Sequence, residues 1–159
     1  MKKITYTNAM PFTYDPTHRG AHYLIGDKYK NHGEWCESVV KFHRGYDYLV
    51  NPATSYDKGS DIEEMSASVK SSNASLASVY GATYEIIKNV YFANVHSTLW
   101  IYVQDVGDEI IEYHMNREEF EIFLDEFHEM SHESGTNLQK VRIRKTSGKM
   151  MRWLEERVG

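Results

Sequence analysis

This 159-residue chain contains one cysteine, three prolines and ten glycines, and each scarcity excludes something. With Cys36 alone there is no internal disulfide framework and no multi-cysteine metal site. So little proline and glycine argues against a collagenous or low-complexity chain. No apolar run approaches the roughly 18–20 residues that span a bilayer. The first residues, MKKITYTNAMPF, are basic at the start but lack the apolar stretch of a secretory signal, so a cytoplasmic location is the expectation. What the chain does have is 13% aromatics, including 12 tyrosines, far too many for a disordered segment. The length suits one domain.

The net charge of −5 argues against a protein that coats nucleic acid over its whole surface. The average hides a segregation. From Asp105 to Glu133 there are eleven acidic residues and one basic residue, Arg117. From Lys140 to Arg157 there are seven basic residues (Lys140, Arg142, Arg144, Lys145, Lys149, Arg152, Arg157) and two acidic ones. A phosphate-facing surface can be built from that second stretch.

Hydrophobic spacing sets the expected elements. Residues 1–30, interrupted by Pro11 and Pro16, read as extended or irregular. A helix is expected from Gly33 to Arg44, capped by Asn31 with Glu34 three residues on and closed by Gly45. Trp35, Val39 and Phe42 form its core face, and Cys36 reads as a small buried hydrophobe. Tyr46 to Val50 reads as a strand stopped by Asn51-Pro52, and a polar loop through Lys58-Gly59-Ser60 leads to an extended piece at Asp61-Ile62. Ser66 to Lys70 alternates as a strand, with Ala67 and Val69 on one face and Ser66, Ser68 and Lys70 on the other. Leu76 to Phe92 is expected to be helical. Thr98–Gln104 and Glu109–Met115 read as a hairpin. Asn116 should cap a helix buried through Phe120, Phe123, Leu124 and Phe127 and ending at Gly135. A strand over Lys140–Lys145 and a helix opening at Ser147 complete a mixed α/β layered domain.

Divalent-metal phosphodiester chemistry needs carboxylates to hold the ion and a positive group near the attacked phosphate. Asp61, at the start of the expected hairpin, Glu37, on the helix before the sheet, and Lys70, on the return strand with Ser68 beside it, supply those groups. Ser71-Ser72-Asn73 follows directly with small polar side chains suited to a phosphate backbone.

The order Glu37-x-x-Val40, Gly45-Tyr46 into a strand, Asp61, then Ser68-Val69-Lys70 resembles the PD-(D/E)XK nuclease superfamily over about residues 33–104. The resemblance implies a single α/β domain of the restriction-endonuclease-like kind, a mixed sheet flanked by helices. In that reading residues 33–104 form the core and 105–159 an α/β extension. It implies hydrolysis of phosphodiester bonds of DNA, or of RNA, with Mg²⁺ or Mn²⁺. Asp61 and Glu37 would bind the metal, and Lys70, with Ser68, would act at the catalytic position. Ser72, Arg142, Arg144 and Lys145 would contact the nucleic acid, and the reading leaves room for a homodimer. Ser68 stands where the family carries Asp or Glu; some members move that carboxylate elsewhere, and Glu37, Glu34, Glu63 or Glu64 could serve. The alternative is a catalytically inactive module of the same fold that binds nucleic acid or a protein partner.

His128-Glu129-Met130-Ser131-His132 matches HExxH. On a helix its histidines would lie one turn apart, as in zinc hydrolases. The flanking Asp125, Glu126 and Glu133 favour a solvated helix end instead.

Overall fold

The computed structural model describes residues 1–16, 24–25, 28–29, 31–48 and 60–159. Within them lie ten strands and four α-helices: β1 (Lys2–Thr7), β2 (Thr13–Tyr14), β3 (Leu24–Ile25), β4 (Lys28–Tyr29), α1 (His32–His43), β5 (Ala67–Ser71), β6 (Ser75–Tyr80), α2 (Tyr84–Asn94), β7 (Leu99–Asp105), β8 (Glu109–Met115), α3 (Arg117–Phe127), β9 (His128–His132), β10 (Leu138–Ile143) and α4 (Gly148–Arg157).

The main sheet has the order β1-β8-β7-β5. It is mixed: β5 runs parallel to β7, and the other pairs are antiparallel. Strand alternation divides its side chains between two cores. Ala67, Val69, Ile101, Val103 and Ile110 pack with Trp35, Cys36, Val39 and Val40 of α1. Trp100, Tyr102, Tyr113 and Met115 pack on the opposite face with Tyr91 and Phe92 of α2, the Phe120–Phe127 stripe of α3, and Met150 and Leu154 of α4. A second, antiparallel sheet, β6-β10-β9, carries α2 against Val141 and Ala82. Two-residue strands β2, β4 and β3 form a third. No helix among the described residues is long and apolar enough to cross a membrane.

Local chemistry accounts for the elements anticipated from spacing. Asn31 accepts from the Glu34 amide to start α1. Asn116 and Glu119 form a reciprocal capping box on α3. Ser147 accepts from the Met150 amide to open α4. Gly107, at φ +82°, turns the β7–β8 hairpin.

Three expected elements differ. Tyr46, Asp47 and Tyr48 are not in a strand, while 49–50, the Asn51-Pro52 stop and the loop through Gly59 lie outside the described residues. The Tyr48 carbonyl accepts instead from Ser38 Oγ and the Tyr29 hydroxyl, and its ring packs on Phe12 and Phe42. The carbonyl is thereby bound to side chains rather than to a sheet ladder. Residues 76–80 are strand, not helix: β6 pairs with β10, and Gly81 at φ +63° turns the chain before Thr83 caps a shorter α2. The helix expected to run to Gly135 stops at Phe127. Beyond Phe127 no apolar stripe remains to bury, and His128–His132 pairs with β10. At Asp61-Ile62 the chain makes one bridge, Ile62 to Ala67, around a 3₁₀ turn at Glu63–Met65.

Candidate functional site

Strand β5 and what surrounds it locate Asp61, Glu37, Ser68 and Lys70. Asp61 Oδ2 accepts from the Val69 amide at 2.7 Å, closing part of the strand's outer edge. Glu37 lies within electrostatic reach of Asp61 and Glu34, and accepts from Lys41 Nζ at 2.8 Å. Burial pushes the Glu37 carboxyl up to about 7, and the like charges of Asp61 and Glu34 add to this against the opposing pull of Lys41. The helix acid thus senses the charge of the turn acid.

Lys70 is not with them. It sits opposite Tyr102 in the β5–β7 register, and its Nζ stands 5.6 Å over the Tyr91 ring, on the α2 face of the sheet. Ser68, two residues back on that face, is buried and exchanges a hydrogen bond with Ser97 Oγ at 2.7 Å; Ser60 Oγ is 2.9 Å from the same Ser97 oxygen. Period-two alternation, which puts Ser68 and Lys70 on one side, puts Val69 and the α1 acids on the other. Among the described residues no group of three or more His, Cys, Asp or Glu side chains is arranged to hold a metal ion. Glu37 and Asp61 carry oxygens of the type Mg²⁺ takes. One is engaged by an ammonium and the other by a backbone amide, and Lys70 is across the sheet. The set does not fit a single three-group metal centre.

The residues expected to contact nucleic acid fare differently. Ser72 Oγ accepts from the Thr146 amide at 3.0 Å, so the small polar turn after β5 abuts the basic segment directly after Lys145. Arg144 is anchored from its backbone N to the Phe127 carbonyl (2.8 Å) and from Nε to the His128 carbonyl (2.8 Å). Arg142 lies on β10 opposite Glu129, 4.0 Å from its carboxylate.

The HExxH residues sit on a strand. His128 and His132 are four residues apart along β9, about 13 Å at ~3.3 Å per residue. Two ligands of one zinc must each come within about 2.1 Å of it. His128 is also committed: its ring stacks on Tyr84 at 3.7 Å and its Nδ1 lies 2.8 Å from the Leu124 carbonyl.

One polar cluster escaped the sequence reading. Glu112, fully buried on the α1 face of β8, is gripped by Arg44 Nη2 at 2.7 Å and Nη1 at 3.1 Å, by His114 Nε2 at 2.8 Å, and by the Tyr6 hydroxyl. The Tyr6 ring stacks on His43 at 3.6 Å. Burial alone would raise the Glu112 carboxyl, yet the hydrogen bonds from His114, Arg44 and Tyr6 outweigh it and hold it at about 2. The available signal was an acid at the inward position of an apolar strand, between Ile110 and His114. Comparison of the chain with protein-family models, with curated proteins and with solved structures found no match in any of the three.

Proposed function

We propose that the chain is a non-catalytic α/β module that binds nucleic acid through its phosphate backbone. One observation carries this reading: the Ser72 to Thr146 hydrogen bond joins the small polar turn after β5 to the Lys140–Arg157 segment. The turn after β5 and the residue following Lys145 are therefore in contact, although 74 residues separate them. Serine hydroxyls and freely moving lysines are the groups that hold a backbone without reading its sequence. The test is fluorescence anisotropy with labelled single- and double-stranded DNA and RNA across a salt series. Binding should weaken linearly in log–log form with salt, and Lys145→Ala should lower the slope by about 1. Absence of binding at low salt, or a slope untouched by Lys145→Ala and Lys149→Ala together, overturns the proposal.

A second reading is metal-dependent cleavage, favoured by the electrostatic coupling of Glu37 to Asp61. Incubation with Mg²⁺ or Mn²⁺ and nucleic-acid substrates tests it. Cleavage lost in both Asp61→Ala and Lys70→Ala supports it, and cleavage present in both rules these residues out.

A further inference from the structure

The second sheet ends on one side in β6, which among the described residues pairs with β10 alone. The Gly81 amide donates to the Asn137 carbonyl, and the register sets Val79 opposite Gln139 and Ala77 opposite Val141. Antiparallel bonding alternates, so the backbone groups of Ala77, Val79 and Gly81 turn to β10. Those of Ser78 and Tyr80 turn outward, where no described strand meets them. Leu76 is passed over in the register, so the regular open edge runs from Ala77 to Gly81. Open edges are ordinarily guarded by charge or by a covering group. β1 carries Lys2 and Lys3, β9 carries Glu129, and the β5 edge is held by Asp61. From Ser71 to Tyr84, by contrast, no residue is charged. Apolar surface collects at this edge instead. Tyr80 is 71% exposed, and Ile86 and Val90, one turn apart on α2, are 50% and 39% exposed. Lys88 ties one flank of α2 to Glu121 and Asp125 of α3, which leads directly into β9 at the far edge of the sheet. Ile86 and Val90 lie on the other flank, toward the open edge.

We infer that β6 is a dimer interface, and that its partner is β6 of a second copy of this chain, running antiparallel. Self-complementarity singles out that partner. Two identical chains close about a two-fold axis, so the same patch must fit itself. With the axis at Val79, Ser78 lies opposite the partner's Tyr80 and Tyr80 opposite the partner's Ser78. The outward backbone groups of each chain then satisfy those of the other. Val79 packs with Ala77, Val141 and Ile87 on the α2 face of the sheet, and at the axis it meets its own copy there. Ile86 and Val90 of the two helices stand beside that contact. A strand with a charge at its centre would set like charges face to face in such a pairing, and β6 sets none. Glu85, the first acid beyond the uncharged stretch, is already paired with Lys88 at 3.4 Å. The result is one antiparallel sheet built from β9, β10 and β6 of each copy. Nothing in it depends on the nucleic-acid reading above.

Sedimentation equilibrium of the full chain, up to roughly 0.2 mM, reads the association state. Amide hydrogen exchange followed by NMR reads which edge is used. The expected result is a dimer in which the Ser78 and Tyr80 amides exchange more slowly as concentration rises. The Ala77 and Val79 amides, bonded to β10 in either state, should change little. Two variants alter only exposed side chains, Ser78→Lys and Tyr80→Glu. Each sets like charges diagonally across the axis and should weaken association by about tenfold. In an equimolar mixture the new ammonium of one chain lies opposite the new carboxylate of the other, and association should recover. That recovery also shows that both variants fold. A wild type that stays monomeric over the whole range overturns the inference and leaves the edge to a strand of another protein. So does a dimer that both variants retain undiminished, or one in which the Ser78 and Tyr80 amides gain no protection.

Discussion

A carboxylate with no exposed surface survives folding only when its neighbours replace the water it gives up. Glu112 meets that condition through Arg44, His114 and Tyr6. Arg44→Met removes the bidentate partner and leaves a buried charge, and should cost about 3–5 kcal/mol in urea unfolding. The double variant Arg44→Met/Glu112→Leu should recover most of that loss. The two perturbed acids also oppose each other in pH. The folded carboxyl of Glu112 lies at about 2, below its ordinary 4.5, so its stabilisation is complete above pH 4.5 and is lost as pH falls toward 2. Glu37 is raised to about 7, so its favourable contribution exists below 4.5 and disappears as pH rises to 7. The combined contribution of these two acids to unfolding free energy should therefore peak near pH 4.5. Glu37→Gln should flatten the decline between 4.5 and 7, worth about 3 kcal/mol at most from a 2.5-unit displacement at ~1.36 kcal/mol per unit. Burial likewise pushes the Cys36 thiol up to about 12, and it should not react with a disulfide reagent until the protein unfolds. Cys36 was legible from its place beside the helix stripe. Glu112 was not, because an acid on an inward strand position is acceptable only if its partner is known, and Arg44 lies 68 residues away.

At the scale of elements, what reads from sequence is what is settled within a few residues. Asn116 and Glu119 specify the start of α3 by themselves, and Asn116→Ala should lower thermal stability by about 1 kcal/mol. The β7–β8 hairpin is equally local. The misread segments, 76–80 and 128–132, share one cause. Each is the outer strand of a sheet whose centre is β10, and β10 had not been paired with either. Short apolar or polar runs are ambiguous until a partner edge exists to hydrogen-bond them. The zinc-type pattern failed for this reason: its chemistry required a helical turn that the β10 edge replaced. Added zinc should accordingly leave the melting temperature of the wild type and of His132→Ala alike.

Over the whole molecule, the α/β layering with helices on both faces of a mixed sheet was legible, because alternation and helical spacing report burial directly. Sheet order was not. Nothing local in Lys2–Thr7 says that it pairs with β8, and nothing in Lys70 says that its helix-side neighbour is Tyr91 rather than Glu37. The candidate site divided along that line. Ser72 and Thr146 came into contact, whereas Lys70 faces α2, the face of the sheet opposite α1 and its Glu37, with Asp61 at the β5 edge.

The connection from β5 to its parallel neighbour β7 is unusual in what it carries. Before reaching α2 the chain leaves the main sheet and lays down β6, whose ladder partner among the described residues, β10, is made some sixty residues later. The segment after Asp105 in turn completes both sheets, giving β8 to one and β9 and β10 to the other. The two sheets are interleaved along the chain, each taking strands from both sides of Asp105. A fragment ending at the β7–β8 hairpin would expose raw edges on both sheets at once, and should stay soluble only when the missing stretch is supplied alongside it.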